Sequence, residues 1–344
     1  MSQQDLTRTP HTDPLNIYRY RDGLYAVDLL GAALVWLDFF TWLGEHPSDK
    51  AAICRALEIA ERPTDVMLTL FTAMGLVRAR DGVFSLTESA REHLVKTSPW
   101  FMGPYYASLK ERPVCKDYVN VLRTGQPANW GSLKNEKDWA KAMEDEAFAQ
   151  SFTAAMDCRG VYLGQAMARL LDLRGHTHLL DVAGGSGIYA CSLVARHPHL
   201  RATVLEKPPV DRVAAAAIAQ RGYAERVSVR VGDMFAEEFP ADCDAHLFSN
   251  VLHDWEEPDV KKLLAKSARA LPSGGLLVIH DMHLDEAKSG PLPVAEYSAL
   301  LMHSTWGKCY SLAELRSYFD ELGFVDMKFT PTAADRSFVT ARKR

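Results

Sequence analysis

The chain has 344 residues, 47% hydrophobic and 24% charged, which is the balance of a soluble globular protein with room for two domains. Its 39 basic against 44 acidic residues leave a net charge of -5, which argues against a nucleic-acid partner, because gripping phosphates calls for a basic face. No run of about 18 apolar residues marks a transmembrane helix. The polar stretch Met1 to Asp13 lacks the apolar centre of a secretory signal. Cys54, Cys115, Cys158, Cys191, Cys243 and Cys309 are scattered without a CxxC pair. These features read as a cytoplasmic protein with reduced thiols and no membrane association.

The apolar, proline-free run Tyr25 to Leu43 predicts a helix. Pro63-Thr64-Asp65 opens another over Val66 to Met74, ended by Gly75. Leu76 to Arg80 and Val83 to Leu86 flank Asp81-Gly82, a strong hairpin signal. Helix, helix and hairpin is the order of a winged helix, readable either as DNA binding or as packing and dimerisation. The acidic balance, and the lack of Lys or Arg in Thr64 to Met74, favour the second reading. Helices continue from Trp100 to about Leu171, with breaks at Gly125-Gln126-Pro127 and Trp130-Gly131-Ser132.

From there the rhythm changes to alternating strands and helices, the signature of a parallel α/β sheet. Strands are predicted at His178–Ala183, Ala202–Glu206, Val227–Val231, Ala245–Ser249 and Leu276–Asp281. Helices are predicted at Ile188–His197, Arg212–Arg221, Pro258–Ala270 and Leu312–Leu322. Val325–Thr330 and Ser337–Ala341 have no helix between them and suggest a closing antiparallel pair. Three stretches follow: residues 1–100, helical and winged-helix-like; 101–172, a helical linker; and 173–344, a Rossmann-like α/β domain.

The central motif is Leu179-Leu180-Asp181-Val182-Ala183-Gly184-Gly185-Ser186-Gly187, an apolar strand running into a glycine turn and then a helix. Glycines there let the backbone approach a ligand closely. Glu206 ends the next strand, where an acid suits ribose hydroxyls. Asp233 follows the third strand and can accept from an adenine amino group, with Met234 against the base. A dinucleotide, S-adenosylmethionine and a purely structural turn compete as readings. The GxGxxG spacing is missing, and Asp181 would repel a pyrophosphate that needs amide donors. S-adenosylmethionine has no phosphate and carries a sulfonium and an ammonium, so an acid beside the turn helps it.

With Asn250-Val251-Leu252-His253-Asp254-Trp255 added to these motifs, the chain resembles the small-molecule O-methyltransferases. These include the caffeic acid, flavonoid, acetylserotonin and antibiotic-tailoring enzymes. The resemblance covers most of the chain. It implies a class I methyltransferase sheet, an N-terminal dimerisation domain, an intertwined homodimer and a small, planar, aromatic natural-product acceptor. It assigns the cofactor S-adenosylmethionine to Asp181, Gly184, Gly185, Gly187, Glu206, Asp233 and Met234, with Ser249, Asp254 and Trp255 beside them.

His253 follows the fourth strand, on the carboxyl rim where parallel α/β sheets hold ligands. Taken alone it reads more readily as a capping or packing residue. The resemblance makes it the general base, which takes a phenolic proton as the methyl is transferred. Asp281, ending the fifth strand, is the acid that orients it. The family's second acid falls where this chain has Gly307-Lys308-Cys309, so Cys309 stands in its place. That departure keeps C- or N-methylation, or a non-methylating reaction, in play. Phe148, Phe152 and Met156 recur every four residues and in the family line the acceptor pocket, with Asp157 beside them. Met302, His303, Trp306 and Cys309 are the candidate opposite wall. His280, His283 and His303 lack the acid or cysteine that would complete a metal site, and no metal is expected. A DNA-binding regulator and a nucleic-acid methyltransferase are the contrasting classes. The second is disfavoured because no Asn/Asp-Pro-Pro-aromatic signature follows the fourth strand.

Overall fold

A computed structural model describes residues 3–128 and 142–344. The expected break at Trp130-Gly131-Ser132 lies outside them. The chain divides into two units, each discontinuous in sequence: Ile17–Lys137 with His283–Ala313, and Met1–Asn16 with Asp138–Met282 and Glu314–Arg344. These are not the three consecutive stretches read from the sequence. The long helix expected in the linker belongs to the α/β unit, and residues 283–313 leave that unit for the helical one.

In the helical unit, β1 (Ser48–Asp49), β2 (Val77–Arg80) and β3 (Val83–Leu86) form a sheet in the order β1-β3-β2. The Asp81-Gly82 turn forms as read: both residues have positive φ, 52° and 78°, and Arg80 pairs with Val83. The preceding helix is Glu61–Ala73, longer at its start than predicted. Pro63 sits in the first turn, where its missing amide costs nothing. The helix therefore does carry a basic residue, Arg62, but its guanidinium donates to the carbonyls of Thr305, Gly307 and Gly125 within the unit.

The predicted helix Tyr25–Leu43 is instead three pieces: Ala26–Gly31, a π-helical turn Ala32–Trp36, and Phe39–Glu45. Asp38, in the left-handed region at φ 53°, makes the break. The break brings Phe39 and Phe40 against Phe71, with ring centroids 5.6 and 5.2 Å apart. Among the helices not predicted individually are Lys50–Leu57 and Leu292–Ser304. Pro291 and Pro293 look like loop residues but occupy the helix entry, where proline is tolerated. The break expected at Gly125 is present, at φ 73°, ending the helix Pro113–Thr124.

The α/β unit is built on β4 (His178–Val182), β5 (Arg201–Glu206), β6 (Val227–Val231), β7 (Ala245–Ser249), β8 (Leu276–Asp281), β9 (Phe324–Pro331) and β10 (Ser337–Lys343). Their order is β6-β5-β4-β7-β8-β10-β9. The first five are parallel, as the alternation of strands and helices predicted, and β7 and β8 are buried along their whole length. β10 lies antiparallel to both β8 and β9, the expected closing pair. The helix Glu146–Leu170 packs closely on Ile188–Arg196 through glycine. A Cβ at Gly160 would lie 2.4 Å from Ile188, and one at Gly164 would lie 2.8 Å from Ser192. Among the described residues, no single helix is long and apolar enough to cross a membrane.

Candidate active site

Parallel strands end their side chains on one rim, and here β5, β4, β7 and β8 lie side by side. Asp181, near the end of β4, is fully buried, and neither carboxylate oxygen reaches a hydrogen-bond partner at ordinary geometry. Burial pushes its carboxyl up to about 7. The Ala190 amide pulls the other way and Glu206 adds to the rise. The chain then turns through Ala183, Gly185 and Gly187, all at positive φ. At Gly184 the need for glycine is spatial, since a Cβ would stand 2.6 Å from the Asp181 carboxylate.

Glu206 is bound into this turn. Its Oε1 accepts from the Gly185 amide at 2.9 Å and its Oε2 from the Lys207 amide at 3.1 Å. Burial nevertheless pushes Glu206 up to about 7. Asp233 is half-buried, with Oδ1 accepting from Phe235 N at 2.7 Å. Phe235 packs edge-on to Trp255, with centroids 4.6 Å apart. The Lys266 ammonium donates to the Met234 carbonyl, holding the β6 exit loop to the helix Glu257–Ala270.

Past β7 the chain makes a left-handed step at Asn250, φ 54°, then a 3-10 turn Leu252–Asp254 that carries His253. His253 Nδ1 donates to Asp281 Oδ1 at 2.6 Å, and Asp281 also accepts from the Met282 amide at 2.8 Å. The imidazole is 4% exposed. Burial by itself would lower its pKa, but the carboxylates of Asp281 and Asp254 outweigh it and hold it above the usual histidine value. Asp254 Oδ1 lies 3.7 Å from Nε2. Burial raises Asp254 to about 6, against the opposing pull of His253.

Some expected residues do other work. The Ser249 hydroxyl, expected near the cofactor, lies 2.9 Å from His280 Nδ1 inside the sheet. Phe148 and Phe152 stack at 6.0 Å and pack on Met143, Ala149 and Val210, while Met156 is half-buried. Met302, His303, Trp306 and Cys309 belong to the helical unit. There His303 lies between the rings of Tyr25 and Tyr118, 4.9 and 5.3 Å away, with Nε2 3.2 Å from Asp117. Burial lowers its pKa. Cys309 is fully buried, its amide donating to Ser298 Oγ. Trp306 is exposed.

Sequence reading undervalued two residues. Asp157 accepts from the Ser186 hydroxyl in the glycine turn and from Arg221. Tyr189 accepts from Asn250 Nδ2 at 3.0 Å. Only the first left a signal, one polar residue beside the aromatic stripe. Among the described residues the group with metal-ligand spacing is His178, Asp242 and Cys243, not the histidines considered from sequence. It includes the first residue of β4 and two that precede β7, the opposite ends of these strands from the rim.

Asp181's orphaned carboxylate, the cradle a Cβ would fill at Gly184 and the acid ending β5 fit a cationic nucleoside cofactor better than a phosphate-bearing one. The chain belongs to the O-methyltransferase family: the family's O-methyltransferase domain profile matches residues 119–325. It is thus an S-adenosylmethionine-dependent methyltransferase with a class I sheet.

Among its relatives is the 3-hydroxy-5-methyl-1-naphthoate 3-O-methyltransferase of Streptomyces sahachiroi, 32% identical over 89% of this chain and 88% of that one. The L-tyrosine C(3)-methyltransferase of Streptomyces lavendulae is 29% identical over 88% of this chain and 84% of its own. The crystal structure of an O-methyltransferase family 2 protein from Planctomyces limnophilus, in complex with apigenin, superposes with a TM-score of 0.89. It is 33% identical, covering 100% of both chains.

Proposed function

We propose that this enzyme methylates a hydroxyl of a small, planar aromatic natural product, with His253 as general base. The observation that carries this reading is the 2.6 Å bond from His253 Nδ1 to Asp281. It commits Nδ1 as the donor, so the neutral ring keeps its lone pair on Nε2. Nε2 would take the hydroxyl proton as the methyl passes from the sulfonium to the acceptor oxygen, the S–C bond breaking to leave the neutral thioether, and Asp281 would stabilise the resulting imidazolium. Burial excludes water from the pair and strengthens that attraction.

S-adenosylmethionine, when bound, supplies an electrophilic methyl. Asp181, the Gly184, Gly185 and Gly187 turn, Glu206, Asp233 and Met234 would hold it, with Asp254 and Trp255 alongside. Phe148, Phe152 and Met156 offer an apolar face for a flat ring. Met302, His303, Trp306 and Cys309 remain acceptor-binding candidates on the strength of the sequence. The naphthoate and apigenin in the relatives' names support an aromatic acceptor. The winged-helix-like residues 1–100 are proposed for homodimerisation, and the enzyme for the cytoplasm.

A second reading, C- or N-methylation, is favoured by Cys309 at the place of the family's second acid and by the tyrosine C(3)-methylating relative. Incubating the enzyme and S-adenosylmethionine with cell extract, then locating the new methyl by NMR, separates the readings. His253→Ala should lower turnover by at least about 100-fold with S-adenosylhomocysteine binding intact. Near-full activity in that variant rejects the base assignment.

A further inference from the structure

Three structural elements meet behind the base, and the function above uses none of the side chains that join them. Tyr189 stands in the first turn of the helix that follows the glycine turn. Its hydroxyl accepts from Asn250 Nδ2 at 3.0 Å, and the same Nδ2 lies 3.2 Å from Ser249 Oγ. Ser249 Oγ in turn lies 2.9 Å from His280 Nδ1, and the Tyr189 and His280 rings are tilted at 5.4 Å. The Asn250 amide N–H closes the circuit on the His280 carbonyl at 2.9 Å. Tyr189, Ser249 and His280 are buried. The Asn250 Oδ1 atom has no hydrogen-bond partner among the described residues, so contacts through Nδ2 are what restrain that side chain.

We propose that Tyr189 is a positioning residue for the His253–Asp281 pair, acting through Asn250. Asn250 is the left-handed step by which the chain leaves β7, and His253 lies three residues beyond it. A non-glycine residue in that region is held by its surroundings, and asparagine tolerates it best when its side chain is bonded locally. On the other side, His280 precedes Asp281 on β8. The circuit thus ties the base's turn and the acid's strand end to each other and to the helix leaving the cofactor turn. The base pair needs a separation good to a few tenths of an ångström, and loosening either end lengthens it.

This inference rests on the methyltransferase reading for its kinetic test but not for its spectroscopic one. Tyr189→Phe removes one oxygen and leaves the ring on His280. We expect kcat to fall about tenfold, with KM for S-adenosylmethionine and the affinity for S-adenosylhomocysteine within about twofold of wild type. Asn250→Ala should fall similarly, and the double variant no further than the worse single one, because both act through one bond. By proton NMR, the low-field resonance of the His253 Nδ1–H bond should move upfield or vanish in Tyr189→Phe.

An unchanged resonance with kcat within about twofold of wild type overturns the proposal, as do fully additive losses in the double variant. A thermal midpoint that falls with an unaltered resonance also overturns it, by showing a purely structural tyrosine. If His253→Ala keeps its activity while the resonance still responds to Tyr189, the base assignment fails and the positioning circuit stands.

Discussion

Glu206 reaches from the end of β5 to the glycine turn and accepts the Gly185 amide at 2.9 Å. One carboxylate thereby both shapes the turn and presents an acid at the rim. Glu206→Gln keeps the size but replaces one of the two oxygens that accept the Gly185 and Lys207 amides with a group that cannot accept, and removes the acid. Affinity for S-adenosylhomocysteine should fall roughly 10- to 100-fold by calorimetry, corresponding to about 1.5–3 kcal/mol for a bond to a charged group. Wild-type affinity in that variant would remove Glu206 from the cofactor site.

The His253–Asp281 pair sets the pH profile. A base must be neutral to accept a proton, and Asp281 holds the imidazole above the usual histidine value. Turnover should therefore fall on the acid side with a limb above about pH 6.5. Asp281→Asn removes the stabilising charge, so that limb should move to lower pH while the plateau drops. A limb that stays in place would show that another group titrates.

Asp181 makes the ligand-free enzyme pH-sensitive in the opposite sense to an ordinary salt-bridged acid. Its folded value, about 7, lies above the ordinary value of 3.8 for an exposed aspartate. Between those values the folded state binds the extra proton, so stability declines as pH rises through that window and levels out above it. Glu206, also about 7, adds to the same trend. The thermal midpoint of the ligand-free protein should drop from pH 5 to pH 8. Asp181→Asn should flatten this slope and raise the midpoint at pH 8 by about 2 °C or more. An unchanged slope would contradict the burial argument.

Gly160 permits the close approach of two helices in the α/β unit, where a Cβ would stand 2.4 Å from Ile188. Gly160→Val should destabilise the protein by about 1–3 kcal/mol in urea titration through overpacking. The displaced helix begins right after Gly187, so S-adenosylhomocysteine affinity should weaken as well. Loss of stability with unchanged affinity would separate the packing from the site.

Local signals carried furthest where one local force dominated. The strands β6, β7 and β8 fall at the residues predicted because a short β-rich run between turns, alternating in β6 and mostly apolar in β8, has few alternatives. Asp81-Gly82 prescribed its turn through the φ values it tolerates, and Asp181 to Gly187 marked a glycine turn at a strand end. The run Tyr25–Leu43 failed because apolarity alone does not say where a helix breaks. The break at Asp38 depends on Phe39 and Phe40 finding Phe71, a contact between residues far apart in sequence.

The chain's own order of residues determined the class of sheet, the glycine turn with its acids, and the candidacy of His253. These depend on periodicity and backbone freedom, which are properties of neighbours in sequence. Tertiary structure alone decided that Asp281, 28 positions on, stands 2.6 Å from that imidazole, that Ser249 turns to His280, and that Tyr189 holds Asn250. It also decided that residues 283–313 leave the unit they follow in sequence. Such pairings arise because adjacent strands bring distant residues within hydrogen-bond reach, and no local pattern encodes which strand will be the neighbour.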